Sequence, residues 1–200
     1  MKAVSQLNIN EVLGERYRIL AVLGHGGMST VYLAEDLKLK GKKWAVKQSY
    51  YPSHDVLKFI KEAEILIKLN HSNLPHIVDY FPPVDGQSSF LVMDYIKGCT
   101  LSEIFNQLGR KLSWQKVVKY SVQLCDLFIY LHNYKPSPII YRDLKPSNVM
   151  IDEQDCVRLI DFGIARNFEP VKTMDTIEIG TVGFAAPEQF EHKQTDQRTD

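Results

Sequence analysis

Cysteine is scarce in this 200-residue chain: Cys99, Cys125 and Cys156 lie far apart and form no C-x-x-C pair. Neither a disulfide framework nor a cysteine zinc site organises such a sequence, and a reduced compartment is the expectation. Net charge is lacking too, since 24 basic side chains offset 24 acidic ones. Neutralising many phosphates takes clustered Lys and Arg, so neither nucleic acid nor an anionic membrane is an expected partner. No stretch reaches the ~18 apolar residues of a membrane span. The opening "MKAVSQLNINEVLGERY" has no long apolar run behind its early lysine and does not read as a signal peptide. A cytoplasmic location is expected, any membrane anchor lying beyond residue 200. Internal repeats and low-complexity tracts are absent.

What is present is the composition of an ordinary globular protein, 44% hydrophobic, long enough for one domain or two small lobes. Residues 17 to 50 alternate apolar runs with turn residues. "YRILAVLG", "STVYLAED" and "KKWAVKQS" read as strands broken by "GHGG" and "KLKGKK". Residues 55 to 69 carry a helical period, and "HIVDYF" and "SSFLVMDYI" predict two more strands around "PPVDGQ". From about residue 97 the character turns helical. "SWQKVVKYSVQLCDLFIYLHNY" predicts a long helix stopped by "KPSP". A β-rich half thus precedes an α-rich half, with a hinge expected near Lys97 and Gly98.

"LGHGGMSTV" places Gly24, Gly26 and Gly27 in a strand–turn–strand. Glycine tolerates positive φ and close backbone approach, so N–H groups there can point at a phosphate, although glycines in a hairpin are more often just a turn. The next strand, "WAVK", ends in Lys47, which either holds an ammonium beneath a nucleotide or is a solvated surface lysine. The following helix bears on that choice. At about 100° per residue, Phe59, Ala63, Leu66 and Leu69 share one arc, and Glu62 falls inside it. Glu64 lies on the opposite face with Lys61 and Lys68, an ordinary i,i+4 solvent pair with Lys68. A carboxylate on an apolar face needs a partner, for which Lys47 is a candidate, unless Glu62 snorkels at the edge of the stripe.

"YRDLKPSN" gathers Asp143, Lys145 and Asn148 between the apolar runs "PII" and "VMI". Asp suits acceptance of a hydroxyl proton, Lys neutralisation of a phosphoryl group, and Asn metal ligation through its amide oxygen. Downstream, "VRLIDFG" sets Asp161 at the end of an apolar strand, thirteen residues beyond Asn148. Mg²⁺ takes hard oxygen ligands plus substrate phosphates, and Asn148 with Asp161 offers the protein share.

In order, G-x-G, A-V-K, the helix glutamate, "LVMDYI", "RDLKPSN", D-F-G, "GTVGFAAPE" and "RTD" resemble a eukaryotic-type (Hanks-type) serine/threonine protein kinase, and "GHGGMSTVYLAED" with "AAPEQ" resembles its bacterial branch. The resemblance implies an α+β, two-lobed fold: an N-lobe with a five-stranded antiparallel sheet plus one helix, and a mainly α-helical, truncated C-lobe. It divides the chain into an extension (1–16), a nucleotide-binding lobe (17–96) and an incomplete catalytic lobe (97–200). It further implies transfer of the ATP γ-phosphate to Ser/Thr hydroxyls of a protein substrate, with Mg²⁺ as cofactor and Mn²⁺ as a substitute. The type is that of a non-specific serine/threonine kinase; the oligomeric state is left open.

Site roles follow from the same resemblance. Lys47 contacts the α and β phosphates and pairs with Glu62; Asp143 orients the substrate hydroxyl; Asn148 and Asp161 hold the metal. Leu23, Gly24 and Gly26 cover the nucleotide, Met93 is the gatekeeper, and the backbones of Asp94 and Ile96 meet the adenine edge. Val31, Ala45 and Met150 sandwich the purine. Lys145 and Thr181 fit a Ser/Thr-type site. Arg142 grips a phosphate on the segment 161–188, and autophosphorylation is expected at Thr173 or Thr176.

Three positions depart from the family pattern. Ser29 stands for the third glycine. Tyr141 stands for histidine, a ring expected to pack beneath Phe162 in a stack with Leu66 and Ile77 and to carry no proton. Asp200 resembles the aspartate that opens the family's central C-lobe helix, so a fragment with uncovered apolar surface is expected, its Glu188 without the usual arginine. A nucleotide-binding pseudokinase is the alternative, opposed by the retention of Lys47, Asp143 and Asp161. A small-molecule phosphotransferase is opposed by "GTVGFAAPE".

Overall fold

The computed structural model describes residues 6–26, 29–50, 63–64, 66–83, 88–161, 166–167, 181, 183–191 and 193–200. The chain divides into two compact units, Met1–Asn70 with Pro75–Ile96, and His71–Leu74 with Lys97–Asp200.

Unit 1 is built on an antiparallel sheet in the order β1–β2–β3–β4–β6–β5. Its strands are β1 (Val12–Leu13), β2 (Tyr17–His25), β3 (Ser29–Asp36), β4 (Lys43–Tyr50), β5 (Ile77–Phe81) and β6 (Ser88–Asp94). The five strands expected from the sequence are all there, and Val12–Leu13 adds a sixth at the edge by pairing with Arg18 and Tyr17. Residues before Tyr17 therefore join the sheet. Alternation drives the fold: in β3, Thr30, Tyr32, Ala34 and Asp36 are buried while their neighbours are half-buried. One face of the sheet packs Tyr17, Ile19, Tyr32, Ala34, Trp44, Val46 and Val92 into a core. Each large apolar side chain there contributes about 1.5–3 kcal/mol relative to exposure.

Asp36 ties that core to the chain's start. Its carboxylate accepts from Arg16 Nη2 at 2.8 Å, from Trp44 Nε1 at 2.9 Å, and from the N–H groups of Lys38 and Leu39. The Arg16 guanidinium, outweighing burial and helped by Trp44, holds this carboxyl well below the usual carboxylate range. On the sheet's other face Ala63 and Leu91 form a second core with Leu66, Ile77, Tyr80 and Met93 beside it. Ala63, Glu64 and Leu66 to Lys68 are helical, with Ala63 buried and Glu64 and Lys68 exposed, as the periodicity predicts. Phe59 and Lys61 lie outside the described residues.

In unit 2, Thr100 caps the helix Leu101–Gln107 in a reciprocal box with Glu103, and Ser113 caps the long helix Trp114–His132. The long helix buries Tyr120, Leu127 and Leu131 and presents Trp114, Val118, Val122 and Ile129 to solvent. Strands β7 (Gly98–Thr100), β9 (Val149–Asp152) and β10 (Val157–Leu159) form a small sheet in the order β10–β9–β7, and β8 (Ile139–Ile140) pairs with β11 (Arg166–Asn167). These strands are too short for a period-2 pattern to mark β7 in advance.

Gly98 opens β7 opposite Asp152. A Cβ built on it would stand 2.1 Å from the Ile151 carbonyl oxygen and 2.9 Å from the carbonyl carbon. Backbone, not a flexible side chain, would have to move, so Gly98→Ala is expected to lower stability by about 2–3 kcal/mol. Thermal denaturation checks this; an unchanged midpoint would show that β7 is free to shift.

Candidate active site

The sheet register places the unit 1 candidates together. Val31 pairs with Lys47 and Leu33 with Ala45 across β3–β4; Ala45 pairs with Met93 and Lys47 with Leu91 across β4–β6. Directly opposed residues share a face, as do i and i+2, so Val31, Ala45, Lys47 and Met93 project from one side of the sheet. Trp44 and Val46 project from the other, into the core. Gly24 pairs with Val31 and so extends this row on β2. Neither Gly24 nor Gly26 has positive φ, which removes backbone conformation as their reason. A Cβ at Gly24 would meet nothing within 4 Å, an open approach from which a ligand can reach the strand backbone. Gly26 N–H closes the turn onto Ser29 O at 2.7 Å. Leu23 is exposed. Asp94 ends β6, and Tyr95 and Ile96 continue in non-regular backbone.

Three of the unit 2 candidates, Lys145, Asn148 and Thr181, converge on the carboxylate of a fourth, Asp143. Asp143 Oδ2 lies 2.8 Å from Lys145 Nζ and accepts from Asn148 Nδ2 at 2.8 Å. Its Oδ1 accepts from Thr181 Oγ1 at 2.8 Å, and Lys145 Nζ donates in turn to that hydroxyl, also at 2.8 Å. Asn148 Nδ2 additionally reaches the Asp143 carbonyl at 2.9 Å. The loop is able to do this because β8 and β9 fix its two ends and Pro146–Asn148 closes a 3₁₀ turn within it. Asn148 is buried, and the Ile160 N–H donates to its carbonyl at 2.9 Å, which sets the exposed Asp161 one residue from a direct backbone bond to Asn148. Asp161 and Arg142 both have positive φ, 66° and 69°. Non-glycine residues in that region are uncommon and concentrate where the surroundings over-determine them. Met150, on β9, is half-buried.

Tyr141 is fully buried. Its hydroxyl donates to Ile160 O at 2.6 Å, and its ring stands edge-on to Phe128. Burial, with the charges of Asp161 and Asp143, holds the phenol well above its ordinary pKa, so it stays neutral. The position is a packing one. The loop's backbone is held by Asp200, the last residue of the R-T-D motif, whose resemblance implies a helix start and not this anchoring role. Asp200 Oδ2 accepts from the Tyr141 N–H at 2.8 Å and from His132 Nε2 at 2.9 Å, and Oδ1 accepts from the Arg142 N–H at 2.7 Å. From the other side Gln189 Nε2 donates to Arg142 O at 2.9 Å. Glu188, expected to be without the usual arginine, accepts from Thr199 Oγ1 at 2.7 Å. Glu62, Phe162, Thr173 and Thr176 lie outside the described residues.

Among the described residues no three His, Cys, Asp or Glu side chains cluster as a metal cage, and no helix is long and apolar enough to cross a membrane. The protein kinase domain family matches residues 17–200. A Streptomyces coelicolor protein named as a probable serine/threonine-protein kinase is 35% identical over 198 residues, covering 94% of this chain and 28% of that protein. A similarly named Clostridium acetobutylicum protein is 31% identical, covering 96% of this chain and 29% of its own length. The serine/threonine-protein kinase PknB of Mycolicibacterium smegmatis is 32% identical over 202 residues, covering 94% and 31% respectively. The chain thus spans less than a third of the length of these relatives.

Proposed function

Because the chain belongs to the protein kinase domain family, we propose that it transfers the γ-phosphate of ATP to Ser/Thr hydroxyls of protein substrates, as its relatives' names suggest. The observation that carries this reading is the ring of hydrogen bonds joining Asp143, Lys145, Asn148 and Thr181. It fixes a carboxylate where a substrate hydroxyl can donate to it, and an ammonium beside that carboxylate where a transferring phosphoryl group gathers charge.

In the transfer the hydroxyl oxygen bonds to the γ-phosphorus, the bond to the β–γ bridging oxygen breaks, and the hydroxyl proton passes to Asp143. Lys145 offsets the charge on the phosphoryl oxygens. Thr181, already bonded to both, keeps the pair in register. On unit 1, Lys47 meets the α and β phosphates, with Glu62 as its partner, while Val31 and Ala45 lie against the purine and the backbones of Asp94 and Ile96 receive its edge. The donor set suits magnesium: Asn148 has its Nδ2 engaged by Asp143, which leaves Oδ1 as a hard ligand, and Asp161 is one residue from a bond to Asn148. Bound there, the ion supplies charge neutralisation on the β and γ phosphates.

We also propose that the chain phosphorylates itself at Thr173 or Thr176, with Arg142 receiving the phosphate. Incubation with magnesium and γ-labelled ATP, followed by phosphoamino-acid analysis and mass spectrometry, tests both parts. Label on Ser/Thr is expected, with Thr173 or Thr176 among the sites. No label on any acceptor protein would overturn the kinase reading, and an active sample with both threonines unmodified would overturn the second part alone.

A further inference from the structure

Asp94 ends β6 with its side chain clamped although a third of it remains exposed. Its N–H donates to His76 O at 3.0 Å, and its Oδ2 accepts from the His76 N–H at 3.1 Å. The same oxygen lies 3.0 Å from His76 Nδ1. The second ring nitrogen, Nε2, lies 3.2 Å from Asn70 Oδ1, so both nitrogens of the imidazole face acceptor oxygens. From the other side Lys42 Nζ approaches Asp94 Oδ1 to 3.6 Å while standing 4.2 Å over the Trp44 ring. Trp44 is itself Asp94's partner across β4–β6. Two backbone bonds, one ring and one ammonium thus hold a single residue, where an exposed strand end would ordinarily fray. The His76 hydrogen bonds and the Lys42 charge draw the Asp94 carboxyl below its ordinary pKa, although its partial burial opposes them.

We infer that His76 is a positioning residue for nucleotide binding: it fixes the end of β6 so that the Asp94 backbone meets the adenine edge without being ordered at the moment of binding. This rests on the kinase reading above. The Asp94 N–H is engaged by His76 O, and the carbonyl of the same residue is the group assigned to accept from the base. A mobile carbonyl would have to be ordered by the ligand, which lowers affinity without altering the transfer step. His76 does not touch the substrate in this scheme.

The test compares His76→Leu, which removes both ring bonds, with His76→Asn, whose amide nitrogen takes the place of Nδ1. Mg-ATP affinity, KM for ATP and kcat are measured for the chain and both variants, with circular dichroism to confirm folding. Losing the two ring hydrogen bonds of a partly exposed side chain is expected to raise Kd and KM of His76→Leu about three- to fivefold. His76→Asn should stay within about twofold of the starting protein and kcat should be unchanged in both. A His76→Leu variant that binds ATP like the unaltered chain, or one whose kcat falls while KM holds, overturns the inference and leaves the kinase reading standing. Failure of the unaltered chain to bind Mg-ATP overturns both.

Discussion

Asp143→Asn is expected to slow phosphoryl transfer by about 10³-fold, the middle of the range for a positioned acid–base group, while Mg-ATP affinity stays within about twofold. The amide keeps the shape of the carboxylate, so Asn148 and Thr181 retain a group to bond. What goes is an acceptor able to take the substrate proton, together with the charge that draws Lys145 to 2.8 Å. In the proposed mechanism residue 143 meets the acceptor hydroxyl, whereas affinity for the base and the α and β phosphates is assigned to Val31, Ala45 and Lys47. Rates of label incorporation and a nucleotide-binding titration on the same preparations separate the two effects. Equal incorporation by both proteins would sink the assignment of Asp143.

Asp200→Ala should be the most costly single change for stability. The carboxylate side chain has no solvent exposure and receives the Tyr141 and Arg142 N–H groups and the His132 ring. Removal orphans two buried backbone donors and uncouples the loop that begins at Tyr141 from the end of the long helix. A loss of about 3–5 kcal/mol is expected, which lowers Tm by about 10 °C in a chain of this size. The strain at Arg142, whose φ is 69°, would then be unopposed, so amide exchange should accelerate first at residues 141–143. Asp200→Asn retains one acceptor but turns an NH₂ toward a backbone donor, and should fall between the two. A melt within about 3 °C of the original for Asp200→Ala would mean that the loop is held by something else.

The parts of the molecule legible in the sequence are those where local pattern and tertiary role coincide. Alternation marks β3 because every second residue from Thr30 to Asp36 is buried, and Ser113 announces the long helix it caps. Lys145, Asn148 and Thr181 were reachable as types of residue on a loop. Their closure onto one carboxylate was not, since Thr181 lies 38 residues from Asp143. The R-T-D motif marks Asp200 but not its anchoring role, for the same reason: its partners are 58, 59 and 68 residues away and two of them are backbone N–H groups. The Arg16–Asp36–Trp44 contact escaped because surface-typical charges become structural only once β2 and β3 have paired. Gly24 and Gly26 owe nothing to positive φ, so of the two properties that glycine offers there close backbone approach is the one that remains. For His76, a histidine before a strand is usually a solvated end; only the register that brings Asp94 alongside it distinguishes the two.

The division at His71–Leu74 also bears on how the protein can be cut. These four residues belong with unit 2 although their neighbours on both sides belong with unit 1, so the polypeptide passes between the units three times. Asn73 donates from Nδ2 to Val157 O at 2.7 Å and to Gln123 Oε1 at 3.2 Å, and its carbonyl accepts from the Leu159 N–H at 2.8 Å. A piece expressed from Lys97 onward would therefore lack a strap that satisfies both ends of β10, and supplying 71–74 as a separate peptide would forfeit the tether. A single cut after Ile96 therefore does not yield two self-contained halves. During synthesis, unit 2 has part of its framework laid down before the last two strands of unit 1 have been made.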